Sequence, residues 1–547
     1  MGYAQELRRG LSGFSNFAIS FAIISVLAGA LTTLYLPLQA GGPLAVTLSW
    51  IVIGFFALLV GMSMAEICSA MPTAGGLYYW AAKLSKDAKS GARNSWFTGW
   101  FNLIGQIGVI ASVDYALSVF IAEFLSLYET KWLFFDSTTD YKSVFFIYTI
   151  VLIAHGLLNT FGVKLVKVFM DISVWWHVFG TAVIIAALFI IPDSSKTEGL
   201  GSILDYKNLT GWDFKGSGIY VVIIGMLIAQ YTITGFDASA HVSEETKGAN
   251  VSAPKAILRS IYLSAIIAWI LDIAIVQAIP KGAYDDIAVS FIPAPLRVFE
   301  QSVGGNMAKT MIFIAIVGQF FCGMACVTAN SRMVYAFSRD GALPGSKLWH
   351  RISPRTRTPT NAVWLGVTLS WILGMLTFLQ SANYAVAFFS MVGITAVGLY
   401  VAYVIPVFLR LRKPDFVQGP WNMRGYSKLV GWTAVIYVTF INLMFLAPQF
   451  GPVSAFWPPW GGDFIPGVPK VNNFNFTGPI LIAAAIGVWI YWEVSAKKWF
   501  TGPKVMGTEE ELRAIEAELA SVEAGKAPAS EFFEMEDKME AKHGKKT

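Results

Sequence analysis

The chain has 547 residues, 55% of them hydrophobic and 14% charged, with a mean hydropathy of +0.56 and a formal net charge of +5. A chain of this length and apolarity does not fold as a soluble protein, and its small positive charge reads as topology rather than as a nucleic-acid surface. Three cysteines (Cys68, Cys322 and Cys326) and five dispersed histidines argue against both a disulfide framework and a metal site.

After a polar N-terminus at 1–12, runs of about 20 predominantly apolar residues, the length a membrane-crossing helix needs, follow in order. They fall at 13–36, 44–68, 96–126, 144–163, 168–191, 217–241, 259–279, 309–336, 362–380, 383–408, 429–448 and 478–496. This predicts an all-α integral membrane protein with twelve spans. Connections on the side of the N-terminus carry 22 Lys and Arg residues, those on the opposite side carry nine, and the last nine lie from Lys497 onward. The excess of basic residues marks the cytoplasmic side, so both termini are expected there. The first run is too long for a signal-peptide core. A polar tail, 504–547, carries an N-capped helix start at Thr508–Leu512. The Pro-, Gly- and Trp-rich loop 449–477 is expected outside, as a lid or a docking surface.

Two of the spans are interrupted. The first contains Ser25-Val26-Leu27-Ala28-Gly29-Ala30 and the sixth contains Thr234-Gly235-Phe236-Asp237. Unwound backbone inside hydrocarbon is tolerated only where it lines a cavity and binds something. The second break lies five spans after the first, an odd displacement, so the two interrupted spans run in opposite directions, as an inverted repeat requires. The expected units are a first five-helix repeat at 13–191, a second, inverted one at 217–408, and two extra helices at 429–496.

Several motifs carry a family resemblance: Ser25-Val26-Leu27-Ala28-Gly29, Gly61-Met62-Ser63-Met64-Ala65-Glu66, Pro72-Thr73-Ala74-Gly75-Gly76, Gly235-Phe236-Asp237, Glu244-Glu245-Thr246, Ser331-Arg332 and Ser338-Arg339-Asp340-Gly341. In order and spacing, from about residue 8 to about 500, the chain resembles the amino acid–polyamine–organocation superfamily. Within it the likeness is to the amino acid/choline branch, especially permeases for 4-aminobutyrate (GABA). The resemblance implies a five-plus-five inverted repeat with broken helices 1 and 6, and secondary transport by alternating access. Carriers of this superfamily usually show Gly-X-Gly where this chain has Leu27-Ala28-Gly29, so a differently shaped pocket is expected.

The breaks suggest complementary chemistry. Free amides near Gly29, Ala30 and Leu31 begin a half-helix and attract a carboxylate, with Thr32 and Thr33 one turn on. Carbonyls near Tyr231 and Thr234 end another half-helix and attract an ammonium, a preference that Asp237 strengthens. The candidate substrate-binding residues are Ser25, Leu27, Ala28, Gly29, Ala30, Thr33, Gln106, Tyr231, Thr234, Gly235, Phe236 and Asp237. The resemblance implies that Tyr231 closes over the substrate and that Asp237 takes part in a proton response. It also places His177 where some proton-coupled relatives carry a lysine in place of sodium, and histidine titrates in the right range. Thr328 and Ser331 are the sodium alternative, so either ion remains open. Glu66, Glu245 and Arg332, with Glu244, Arg339 and Asp340, are expected at the cytoplasmic ends of spans two, six and eight as gate charges. The expected cargo is GABA or a similar zwitterion, with choline, a polyamine or a nutrient-sensing role as alternatives. No catalytic residues, cofactor or nucleic-acid partner is expected. The expected setting is the plasma membrane, as a monomer or a homodimer.

Overall fold

The computed structural model describes residues 10–504 apart from 129–136, 138, 162, 291, 355, 380–384 and 450–474, together with Leu7, Ala514 and Ala517. The lid or docking loop predicted at 449–477 and the tail helix predicted from Thr508 therefore lie almost wholly outside the described residues. Among the described residues the regular elements are helical, and extended pairing is limited to isolated bridges.

Among the described residues eleven helices are long and apolar enough to cross a membrane. The sixth predicted span makes the twelfth, in pieces. Span one is split into α1 (Gly13–Ile24), α2 (Gly29–Thr33) and α3 (Tyr35–Gln39). Span two is α4 (Gly42–Ala70), followed by a short α5 (Gly76–Leu84). Spans three to five are α6 (Ala88–Ser126), α7 (Tyr141–Thr160) and α8 (Val163–Ile190). Span six is split into α9 (Ser217–Gly225), α10 (Leu227–Thr232) and α11 (Ala238–His241). Span seven is α12 (Ala249–Gln277), and α13 (Tyr284–Ala288) and α14 (Ala294–Val298) connect it to span eight, α15 (Gly305–Arg339). A short α16 (Ser346–Trp349) precedes spans nine and ten, α17 (Thr360–Gly374) and α18 (Ala385–Leu411). The last two spans are α19 (Ser427–Leu446) and α20 (Thr477–Val494).

Span three starts at Ala88 rather than at 96 because a capping box outweighs the polar composition of its first turns. The Asp87 carboxylate accepts from Ser90 N–H at 2.8 Å, and Ser90 Oγ accepts from Asp87 N–H at 3.2 Å.

The packing is symmetric when each span is exchanged with the one five places along. Span one lies against spans five and seven, and span six against spans ten and two; span three lies against ten, and span eight against five. Spans two and seven, three and eight, and four and nine pack directly on each other. That pattern is what a duplicated five-helix unit with a pseudo-two-fold axis produces, with α19 and α20 outside it. The first span sits at the centre: its most apolar window is 89% buried, against 22% for the last span.

The two breaks meet at glycines. A Cβ on Gly29 would stand 2.5–2.8 Å from the Thr232 side chain, so only hydrogen lets α2 approach α10 this closely. Gly235 has φ +88, and a Cβ there would lie 2.2 Å from Ile23 Cγ2, so both its backbone conformation and its neighbour require glycine. Gly29→Ala is expected to cost about 1–3 kcal/mol of overpacking, read as a lower unfolding temperature of the detergent-purified protein. Adding Thr232→Ala should restore most of that loss, and equal loss in single and double variants would show that the contact does not limit the approach.

Candidate functional site

The break in span one is held by its neighbours. α1 ends at Ile24 and is capped by Ser25, whose N–H still bonds Phe21 O at 3.2 Å; the Ser25 hydroxyl then accepts from Ala28 N–H at 3.1 Å. The same hydroxyl lies 2.7 Å from His177 Nε2 on α8. His177 Nδ1 lies 2.8 Å from the Ser173 carbonyl, which can only accept, so Nδ1 carries a proton and a neutral ring receives the Ser25 hydrogen at Nε2. From α15, Cys322 Sγ donates to Ile23 O at 3.2 Å. These contacts satisfy backbone and side-chain groups that hydrocarbon would leave unpaired.

The break in span six is held in the same way. Gly235 N–H turns away from the helix to donate to Tyr403 OH at 3.1 Å, and Tyr400 OH donates to Ile233 O at 2.7 Å. Asp237, 2% exposed, accepts from Tyr403 OH at 2.6 Å and Asn102 Nδ2 at 3.1 Å, and its Oδ2 lies 3.1 Å from His241 Nε2. His241 Nδ1 is in turn 2.9 Å from Ala74 O. Gln106 Nε2 donates to Asn102 Oδ1 at 3.1 Å, while its buried Oε1 has no partner among the described residues. Asp237 is therefore the hub of a network joining spans three, six and ten.

The partners Asn102, His241 and Tyr403 are absent from the sequence-based set. Two of them left a trace: Asn102 stands four residues before Gln106, and His241 four residues after Asp237, each one helical turn away. Tyr403 left none.

The other predicted residues are distributed unevenly. Gly29, Ala30, Gly235 and Phe236 lie buried at the breaks. The Leu27 side chain packs on Gly318 and approaches Gly180, so it faces spans eight and five. Ala28 O and Gly29 O accept from the hydroxyls of Thr32 and Thr33, and Thr234 Oγ1 donates to Gln230 O, all one turn away within their own spans. Tyr231 OH donates to Ser112 Oγ at 2.9 Å, tying span six to span three. Thr328 Oγ1 donates to Asn159 Oδ1 at 2.6 Å, and Ser331 Oγ accepts from Arg332 Nη1 at 3.0 Å. The side chain that span eight donates to the span-one break is Cys322.

On the face rich in Lys and Arg, Arg332 Nε donates to Glu245 Oε1 at 2.8 Å with both side chains 1% exposed, and Arg339 Nη2 lies 3.5 Å from Glu244 Oε1. The N-terminal segment crosses the same place: Leu11 N–H donates to Glu245 O, Lys247 N–H to Leu11 O, and Asn16 Nδ2 to Thr246 Oγ1. Glu66 does not join this group. Its Oε2 lies 3.1 Å from Arg410 Nη2 and accepts from Ser427 Oγ at 2.5 Å, because its side of α4 faces spans ten and eleven. Just outside the Glu244–Arg339 pair lies a cavity of about 860 Å³ bordered by Thr73, Glu244, Lys83 and Lys413.

Two interrupted helices at the centre of an inverted repeat, with buried ion pairs on one face, are the architecture of a helical membrane carrier. The family profile described as "Amino acid permease" matches residues 11–491, and the chain belongs to that family, within the amino acid–polyamine–organocation superfamily and thus among transporters rather than enzymes. It is 39% identical to "Amino-acid permease BAT1" of Arabidopsis thaliana over 523 residues, 92% of this chain and 95% of that protein. It is 28% identical to the "GABA-specific permease" of Saccharomyces cerevisiae, over 92% of this chain and 84% of that protein. It is 26% identical to a "Putative polyamine transporter" of Candida albicans, over 94% and 89%.

Removing one member of a buried ion pair leaves an uncompensated charge, a cost of about 3–5 kcal/mol. Glu245→Ala should therefore open the basic face. The check is faster labelling of the buried native cysteines by a membrane-impermeant maleimide applied to that face, with Glu245→Asp close to wild type. Unchanged labelling in Glu245→Ala would mean that the pair does not hold this face closed.

Proposed function

We propose that the protein is a proton-coupled secondary transporter of a zwitterionic amino acid whose carboxylate and ammonium stand apart, with GABA the best fit. The observation that carries this reading is the asymmetry of the two breaks. The span-one break is neutral and opens a half-helix at Gly29; the Gly29 N–H expected to be free is taken by Ser25 O at 2.9 Å, so the amide end that favours a carboxylate begins one residue further on, at Ala30 and Leu31. The span-six break is rich in carbonyl oxygens around Tyr231 and Thr232, and Asp237 lies beyond it. The relatives' names support an amino acid cargo, with a GABA permease among them.

The polyamine relative favours a second reading, a cationic cargo. The geometry weighs against it. Asp237 already has three partners in Asn102, His241 and Tyr403, and Asp114 is paired with His155 at 3.0 Å. Asp237 is thus engaged at both oxygens; Asp114 is engaged at Oδ2, and its buried Oδ1 is without a partner among the described residues.

For ion coupling, His177 is the candidate. Ser25 Oγ gives its hydrogen to His177 Nε2 while accepting from Ala28 N–H. A proton arriving at Nε2 reverses the first bond, because an imidazolium can only donate. Ser25 must then direct its hydrogen elsewhere, and the local hydrogen bonding of the span-one break changes with it. Protonation and the shape of the carboxylate site are thereby linked through one hydroxyl. The Thr328 and Ser331 hydroxyls are engaged with Asn159 and Arg332, which supports a proton over sodium. Release follows separation of the Glu245–Arg332 and Glu244–Arg339 pairs into the cavity beyond them.

The test is uptake into proteoliposomes of labelled GABA, alanine, choline and putrescine, with a proton or a sodium gradient imposed separately. GABA should accumulate under the inward proton gradient and be inhibited by other zwitterions. Accumulation of choline or putrescine without competition by zwitterions would overturn the carboxylate assignment.

A further inference from the structure

Two cations on the basic face have no partner among the described residues. Lys255 and Arg259 are exposed one turn apart on α12, and neither makes an ion pair or a side-chain hydrogen bond among the described residues. They stand at one end of the stripe by which α12 meets hydrocarbon: Tyr262, Ile266 and Ile270 continue the same face and are 41%, 53% and 40% exposed. Arg259 lies about 15 Å along the axis from the start of the helix, at 1.5 Å per residue. The apolar exposed stripe begins one turn further on, so the Arg259 guanidinium, unpaired among the described residues, is placed to take an anion.

Beside these cations a groove of about 360 Å³ runs between α12 and the start of α1. Its walls are apolar, with Phe17, Val251 and Ala256 among the lining residues, and no Asp or Glu lines it. The helices meet at its floor, where a Cβ on Gly13 would stand 3.1 Å from Ser252 Cβ. On α1 the exposed Phe14 lies beside Phe17, with ring centroids 6.2 Å apart. The start of α12 adds the positive end of a 29-residue helix to the two side-chain charges.

We infer that this groove binds an anionic phospholipid from the leaflet on the basic face, with its phosphate between Lys255 and Arg259 and an acyl chain along Phe17 and Val251. A soluble phosphate offers the same charge but leaves the apolar wall in contact with nothing that matches it. A bound lipid touches both α1 and α12, and so steadies the half of span one that precedes the break. The inference is independent of which solute is carried.

The test is native mass spectrometry of the full-length protein released from phosphatidylcholine vesicles with added phosphatidylglycerol. Wild type should retain phosphatidylglycerol in preference to phosphatidylcholine. Lys255→Gln with Arg259→Gln should reduce that preference about twenty-five-fold, at about fivefold for each surface cation, while Lys255→Arg retains it. The unfolding temperature in phosphatidylcholine alone should match wild type, which separates lost binding from misfolding. Equal retention of the two lipids by wild type, or an unchanged preference in the double variant, would overturn the site. Displacement of the lipid by inorganic phosphate would overturn the lipid in favour of a soluble anion.

Discussion

Unwound backbone in the middle of a membrane must find every hydrogen bond inside the protein, and the rest of this structure follows from that requirement. Spans one and six are each broken, and each break is supported by two other spans. His177 on span five bonds Ser25, and Cys322 on span eight donates to Ile23 O. Tyr403 on span ten receives Gly235 N–H, and Asn102 on span three donates to Asp237. Five and ten, and three and eight, are the pairs exchanged by the pseudo-symmetry. Duplication thus preserved which spans serve a break while the side chains doing so diverged.

That divergence makes the centre polar in a directed way. The span-one break is supported by neutral groups, whereas the span-six break carries a carboxylate with three partners. A buried acid so fully engaged acts first as a structural joint: Asp237 holds spans three, six and ten in register around the break. The titratable group with the simplest link to the span-one break is His177, because one hydroxyl separates it from the turn that opens the second half-helix. The ion pairs at the basic face act at a distance from both breaks. They reach the centre through α1 and α11, where Ser20 Oγ lies 2.7 Å from Ser239 Oγ and Asn16 donates to Ser239 O.

The spans and both breaks were legible because hydropathy and small-residue interruptions are local signals, and lengths near 20 residues leave little choice of element. Asp237 and His177 were legible as polar residues in apolar runs. Their partners were harder to see. Tyr403 is 166 residues from Asp237 and looks like any aromatic in a span, and only folding brings the two together. For Glu66 the sequence indicates the height along span two but not the azimuth, and the side chain faces Arg410 and Ser427 rather than the Glu245–Arg332 group. Thr328 and Ser331 have the residue types a cation site needs, yet the structure turns their hydroxyls toward Asn159 and Arg332.

The central claim is that substrate movement is tied to a proton through His177 and the Ser25 hydroxyl at the span-one break. It is tested most directly by following internal pH and labelled GABA together in proteoliposomes that start with no ion gradient. Addition of outside substrate should acidify the lumen as label enters, and His177→Ala should exchange labelled for unlabelled GABA without moving protons. Entry of label into wild-type vesicles with no change in internal pH, or unaltered acidification in His177→Ala, would contradict the account.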